Sequence, residues 1–286
     1  MDEYRLRHDP LLRRTYQCAD CVLGIGSYVQ DQLGSMKINR FEAMADTGLQ
    51  NIPEAIDRTG RGSQVRCLYV GRLVRTKGIQ EAIRSMAVTA DYEGLPLTLD
   101  VVGEGPERPI CEELIAKHHL EHRVKLQGWK SKHEVAKFYR EADIFIFPSY
   151  REQGGNVVSE AMSYSLPLII IDRGGPSSAT SDECAIRIPV SSPEQVAYDI
   201  GNAIRRLVDN PDLRHRMGAS AYAHAQQTAL WSSKVDAIDA IYERTISDHV
   251  SNTAPFVSAL NHRYCHGEVT AAALISPSYV SASPYR

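Results

Sequence analysis

The stretch EADIFIFPSYREQGGNVVSEAMSYSLPLIIIDRGGP, residues 141–176, sets two short apolar runs around an amphipathic segment. DIFIFPS (143–149) and LPLIIID (166–172) are rich in strand formers and lack a period-two pattern. Such runs fit strands buried on both faces. Between them, NVVSEAMSYS (156–165) places Val157, Val158, Ala161 and Met162 on one side, as a helix would. The unit reads strand–loop–helix–strand. Its loop carries Glu152, Gln153, Gly154, Gly155 and Asn156, and Glu160 follows about one turn into the helix.

The same rhythm extends outward. VRCLYV (65–70), LTLDVV (97–102), RVKLQG (123–128) and CAIRIPV (184–190) read as strands. GIQEAIRSMAV (78–88), ICEELIAKHHL (110–120) and KHEVAKFYREA (132–142) read as helices. Repeated alternation predicts an α/β domain, a parallel sheet with helices on both faces. Ligands of such sheets bind beyond the carboxyl ends of the strands, so the chemistry belongs in those loops. From Pro193 the chain reads as helices over 193–209, 211–229 and 231–247, with Pro193 and Pro211 suited to first turns. Upstream, ADCVLGIGSYVQDQL (19–33) reads as one strand and one helix, and MADTGLQNIPEA (44–55) as an irregular linker. Beyond Ser251 the text turns Ser-, Ala- and Pro-rich without periodicity, which predicts an atypical, disordered tail.

Composition narrows the function. With 286 residues, 43% hydrophobic and 23% charged, the chain has material for a sizeable core. A net charge of -3 argues against a nucleic-acid partner. No apolar run approaches the roughly 20 residues of a membrane helix, and no apolar h-region follows the charged N-terminus. A cytoplasmic protein is expected, with peripheral association at a membrane surface still compatible. Of the six cysteines only Cys18 and Cys21 lie close, and no second pair completes a zinc site.

Four loops carry the candidate chemistry. In VGRLVRTKG (70–78), Gly71 follows a strand, and Arg72 and Lys77 can aim two cations at one point, which suits a diphosphate. VVGEGPER (101–108) offers Gly103 at a tight turn, and LQGWKSKHE (126–134) offers Gly128 and Trp129 where a flat base could rest. The fourth loop is 152–160. A helix N-terminus behind two glycines favours an anion, and carboxylates at each end can accept hydrogen bonds from vicinal hydroxyls. Taken singly, each has a bland reading: solvated cations, a turn, an aromatic at a sheet edge, a capped helix. Together they outline ribose, diphosphate and sugar.

As an ordered set, VGRLVRTKG, VVGEGPER, LQGW and the 141–176 stretch resemble the donor-binding half of family 4 glycosyltransferases, which have the GT-B fold. The family's two glutamates, seven residues apart, are matched by Glu152 and Glu160. The likeness covers roughly 65–245, and ADCVLGIGSYVQDQL resembles the end of the family's N-terminal, acceptor-binding half. The resemblance implies a domain 61–250 that is Rossmann-like and binds a nucleotide sugar. It also implies that 1–60 are a remnant of an N-terminal domain that is mostly missing, with 251–286 outside the match. It implies transfer of a sugar, with retained anomeric configuration, from a nucleoside diphosphate sugar to a glycan, lipid or small-molecule acceptor. Arg72 and Lys77 would neutralise the leaving diphosphate, and Glu160 would bind ribose. Glu152 would orient the sugar, with catalysis resting on Glu152, Arg72 and Lys77. Gly71, Gly103, Gln153, Gly154, Gly155, Asn156 and Val157 would line the donor, and Gly128 and Trp129 would lie near the base. No metal or other cofactor is implied. The competing expectation is a truncated, catalytically weak module that only binds the nucleotide sugar.

Overall fold

The computed structural model describes residues 8–26, 28–34, 36–60, 64–89 and 97–264. A parallel sheet of six strands runs β3 (Val65–Val70), β4 (Leu97–Val102), β5 (Val124–Gly128), β6 (Ile144–Phe147), β7 (Leu168–Ile171) and β8 (Ala185–Ile188). Its spatial order is β5-β4-β3-β6-β7-β8, with every neighbouring pair parallel. The central strands β6 and β7 are buried at every position, so they show no alternation, as a sheet covered on both faces requires.

The covering helices start where the sequence supplies caps. Ser131 accepts from the Glu134 amide and Glu134 reaches back to Ser131, a capping box that opens α5 (Lys132–Glu141). Ser192 with Pro193 opens α8 (Pro193–Asp209), and Asn210 with Pro211 opens α9 (Pro211–Thr228). Helix α3 (Ile79–Val88) packs against α8 and against α4 (Arg108–Lys117); α6 (Asn156–Ser163) packs on α9. The short α7 (Gly174–Ser178) follows β7.

The chain builds β3, β4 and β5 in one direction, then returns to place β6 beside β3. Between β3 and β6 the order reverses, and a crevice opens there beyond the strand ends.

Upstream lies a small parallel pair, β1 (Val22–Gly24) and β2 (Phe41–Ala43), with α1 (Pro10–Cys18) and α2 (Tyr28–Leu33). Val22, Leu33 and Met36 form its core with Leu12, Tyr16 and Phe41 around them. Neither α1 nor β2 is expected from the sequence. Helix α1 has no buried residue to stamp a clear stripe, and β2 is only three residues long.

Residues 44–55, expected as an irregular linker, have no helix or strand, and together with 56–59 they form a strap fixed to the large domain. Leu49 bridges Leu230, the Lys234 ammonium donates to Ala45 O (3.2 Å), and the Tyr222 hydroxyl donates to Pro53 O (2.9 Å). Arg58, 7% exposed, donates to the carbonyls of Tyr139, Ala142, Tyr164 and Ser165 at 2.7–3.0 Å.

The chain divides into two compact units at Asp239/Ala240. Helix α10 (Trp231–Tyr264) supplies the helical part of the second unit. This corrects the reading of a structureless tail from Ser251: helix continues to Tyr264, and residues 265–286 lie outside the described set. Extending an existing helix costs far less than nucleating one, so weak periodicity is no barrier to its growth. No helix among the described residues is long and apolar enough to cross a membrane.

Candidate donor crevice

The crevice at the β3/β6 reversal is built by two loops tied to each other. Beyond β3, the Tyr69 hydroxyl lies 3.3 Å from Arg72 O and 3.4 Å from Lys77 O and holds the loop closed from below. Residues Arg75–Lys77 form a single 3-10 turn. Arg75 is held back from the crevice by a two-pronged bond to the fully buried Glu81 (2.8 Å to each oxygen). Gly78 has φ 68, and a Cβ there would stand 1.9 Å from Pro148 O, so only glycine lets the β3 loop meet the β6 loop so closely. Across that contact the Tyr150 amide donates to Thr76 O (2.9 Å).

The β6 loop then turns to α6. The Gly175 amide donates to Glu152 O (3.1 Å), which fixes the backbone that carries the Glu152 side chain. Gly155, φ 71, is the residue before the first turn of α6, so the free amides of that turn face the crevice rather than a side-chain cap. Lys77 and Glu152, 75 positions apart, meet here as a partly buried ion pair.

One cavity, about 440 Å³, gathers Gly71, Arg72, Lys77, Glu152, Gln153, Gly154, Gly155, Asn156 and Val157. Most of the residues expected to bind sugar and diphosphate are therefore together. The strap supplies its far wall through Asp46 and Thr47. The Thr47 hydroxyl is buried there with no hydrogen-bond partner among the described residues.

A second cavity of about 520 Å³ shares Val70 with the first and contains Glu160. Tyr139 donates to Glu160 Oε2 at 3.0 Å and stacks on Tyr164, ring centroids 5.3 Å apart. Burial raises the Glu160 carboxyl above its ordinary range, while the Tyr139 hydrogen bond and the Lys132 charge oppose that rise. Leu49, Gln50, Asn51 and Pro53 of the strap roof this cavity, with Lys130 and Lys132 at its edge.

Three expected residues line neither cavity. Gly103 and Gly128 join neighbouring strand ends, the Gly103 amide donating to Gly128 O (2.9 Å). Trp129 is 73% exposed, because the chain leaves the sheet at Gly128 and turns into solvent. Conversely, Asp46, Thr47 and Tyr139 carry no local motif. Tyr139 follows from the apolar stripe of α5, but the strap residues leave no periodic signal. The HHLEH turn (118–122) follows the end of α4, and among the described residues no three acids, histidines or cysteines gather as a metal site. The five cysteines in that set are unpaired; Cys67, Cys111 and Cys184 are buried, and burial pushes the Cys111 thiol to about 12.

Comparison with known proteins agrees with this geometry. The sequence profile described as glycosyl transferases group 1 matches residues 53–224. An alpha-D-kanosaminyltransferase of Streptomyces kanamyceticus is 29% identical over 66% of this chain and 50% of its own length. A D-inositol 3-phosphate glycosyltransferase of Streptomyces griseus is 29% identical over 64% of this chain and 39% of its own length. The chain thus spans half or less of these two relatives. Among solved structures, a sucrose-phosphate synthase of Thermosynechococcus elongatus superposes with a TM-score of 0.67 at 24% identity, covering 86% of this chain and 63% of that one. HepE of Anabaena, solved with UDP, gives 0.68 at 18% identity, covering 87% and 68%. The fold is that of the GT-B glycosyltransferases.

Proposed function

The chain belongs to the group 1 glycosyl transferases, and from that premise we propose that its crevice binds a nucleoside diphosphate sugar. The sugar is then transferred, with retention of anomeric configuration, to an acceptor hydroxyl on a glycan, lipid or small molecule. The observation that carries this reading is the meeting of Lys77 and Glu152 beneath the first turn of α6, at the place where the sheet order reverses.

The diphosphate lies against Arg72, Lys77 and the free amides of Gly154–Asn156. Positive charge fixed in advance stabilises the leaving group as its negative charge grows. Glu152 holds the Lys77 ammonium in place and presents carboxylate oxygen to the sugar hydroxyls. Glu160 accepts from the ribose hydroxyls, and those bonds offset the cost of keeping its buried carboxyl ionised. Tyr139 sets the carboxyl's orientation. The strap forms the far wall of the cavity through Asp46 and Thr47. A neighbour of this fold solved with UDP supports a uridine donor.

In this scheme the two cations and the helix N-terminus fill the charge role that a metal ion fills elsewhere. Calorimetric titration with UDP-, GDP- and ADP-sugars tests the donor. At least one should bind, with EDTA leaving its affinity unchanged; no binding by any of them overturns the reading.

A further inference from the structure

A third cavity, about 510 Å³, lies on the other side of the Glu152 loop, and Glu152 and Gln153 line both it and the donor cavity. One wall is the upstream unit: Tyr16 of α1, Val22–Gly24 of β1, and Val29 and Leu33 of α2. The opposite wall is the ends of β6 and β7, with Arg151 and Arg173. The two loops that carry these arginines are tied by the bond from the Gly175 amide to Glu152 O.

The charge of this cavity differs from that of the donor site. Its single lining carboxylate is Glu152, which is already paired with Lys77. Arg151 and Arg173 are exposed, and neither side chain has a hydrogen-bond or ion-pair partner among the described residues. Two guanidiniums without counter-charge face a pocket whose other wall is mostly apolar, with Tyr16 and Gln32 as its polar side chains. A guanidinium fork matches the paired oxygens of phosphate or carboxylate. The apolar wall suits a carbon skeleton.

We propose that this cavity takes the acceptor, and that the acceptor carries an oxyanion group, phosphate or carboxylate, held by Arg151 and Arg173. Naming the ligand an acceptor rests on the donor reading above; its anionic character rests on the two arginines alone. Glu152 then forms the partition between donor sugar and acceptor, within reach of both.

The experiment is calorimetry of the full chain at low salt with UDP at saturation, titrating glucose, glucose 6-phosphate and glucuronate in parallel. One or both anions should bind at least tenfold more tightly than glucose. Which of them does so distinguishes phosphate from carboxylate. Arg151→Ala and Arg173→Ala should each weaken the anion at least fivefold, and Arg173→Lys should recover only part of it, while UDP affinity stays within twofold. Equal binding of all three probes, or an anion preference that survives both alanine variants, overturns the proposal. The UDP titration in the same series separates the two claims. An anion preference lost with the arginines but without UDP binding sustains the anion site and removes the donor reading.

Discussion

The loops beyond β3 and β6 and the strap 44–59 face each other across one crevice, yet they are held in unlike ways. Each loop is the direct continuation of a buried strand, and its neighbours in space are mostly its neighbours in the sheet. The strap has no secondary structure and is fixed by side chains that reach it from α9, α10 and the α6–β7 turn. The loops bring the cations Arg72 and Lys77 to the crevice; the strap brings Asp46 and Thr47 to its far wall. The lesson is that chemistry and closure are separable here, and each can be broken without the other.

Lys77→Ala makes the sharpest cut on the loop side. Removing a preorganised cation from a leaving group costs on the order of 10²–10³-fold in turnover, roughly 3–4 kcal/mol. Assayed as kcat/KM for sugar transfer, the loss should appear while the thermal midpoint changes little. A variant within fivefold of the parent would remove Lys77 from the chemistry.

Arg58→Ala is the matching cut on the strap side. Four carbonyls lose their donor, and about 2–4 kcal/mol of stability should go with them. Urea unfolding measures it. Donor affinity should fall too, though Arg58 touches neither cavity. If stability is unchanged, the strap is not the anchored element described here.

The same contrast explains what could be read from the sequence. Strands β3 to β8 announce themselves as apolar runs, and Pro193, Pro211 and Ser131 mark helix starts, because those signals are local. Arg72, Lys77 and Glu152 were legible because strand–loop–helix order puts them beyond strand ends, and Glu160 because it stands about one turn into the helix that follows. Asp46 and Thr47 were not, since they sit on a segment without helix or strand, whose approach to the strand ends leaves no periodic pattern in the text. Trp129 shows a different limit: its place after a strand is legible, but position in sequence does not say which way a side chain points, and here it is exposed.

Glu160 offers a smaller effect with a sign that can be checked. Its carboxyl is raised above the ordinary 4.5 by burial. A raised acid favours its neutral form in the folded chain. The penalty for ionisation is therefore absent below the unfolded value and sets in as pH climbs through the raised one. Glu160→Gln should raise the thermal midpoint at pH 7 but not at pH 4. Glu160→Ala should weaken donor binding by about 1–3 kcal/mol by removing the ribose acceptor. Donor affinity of the parent should decline as pH drops through the raised value. A Glu160→Gln variant less stable than the parent at pH 7 would contradict the burial argument.

Gly154→Ala joins the two walls in one test. Its new Cβ would stand 2.4 Å from Thr47 Cγ2 and 2.5 Å from Asp46 Oδ1. Side chains at the strap's tip must give way, and overpacking of this kind costs about 1 kcal/mol or somewhat more. Donor affinity should drop several-fold, and Gly154→Ala combined with Thr47→Ser should restore part of it. No recovery would mean that the glycine serves the ligand alone.

The strap's anchors also set an order of events as the chain folds. Lys234 reaches Ala45 across 189 positions, and Arg58 reaches Ser165 across 107. The entropy of closing a loop grows with its length, and distant contacts slow folding. Residues 45–49 leave the ribosome early, yet their anchors at Leu230 and Lys234 are made late, whereas Arg58 can dock once residues 139–165 are in place. By that argument the sheet should condense before the tip of the strap settles, and the wall of the crevice formed by Asp46 and Thr47 should be among the last parts of the domain to take its final shape.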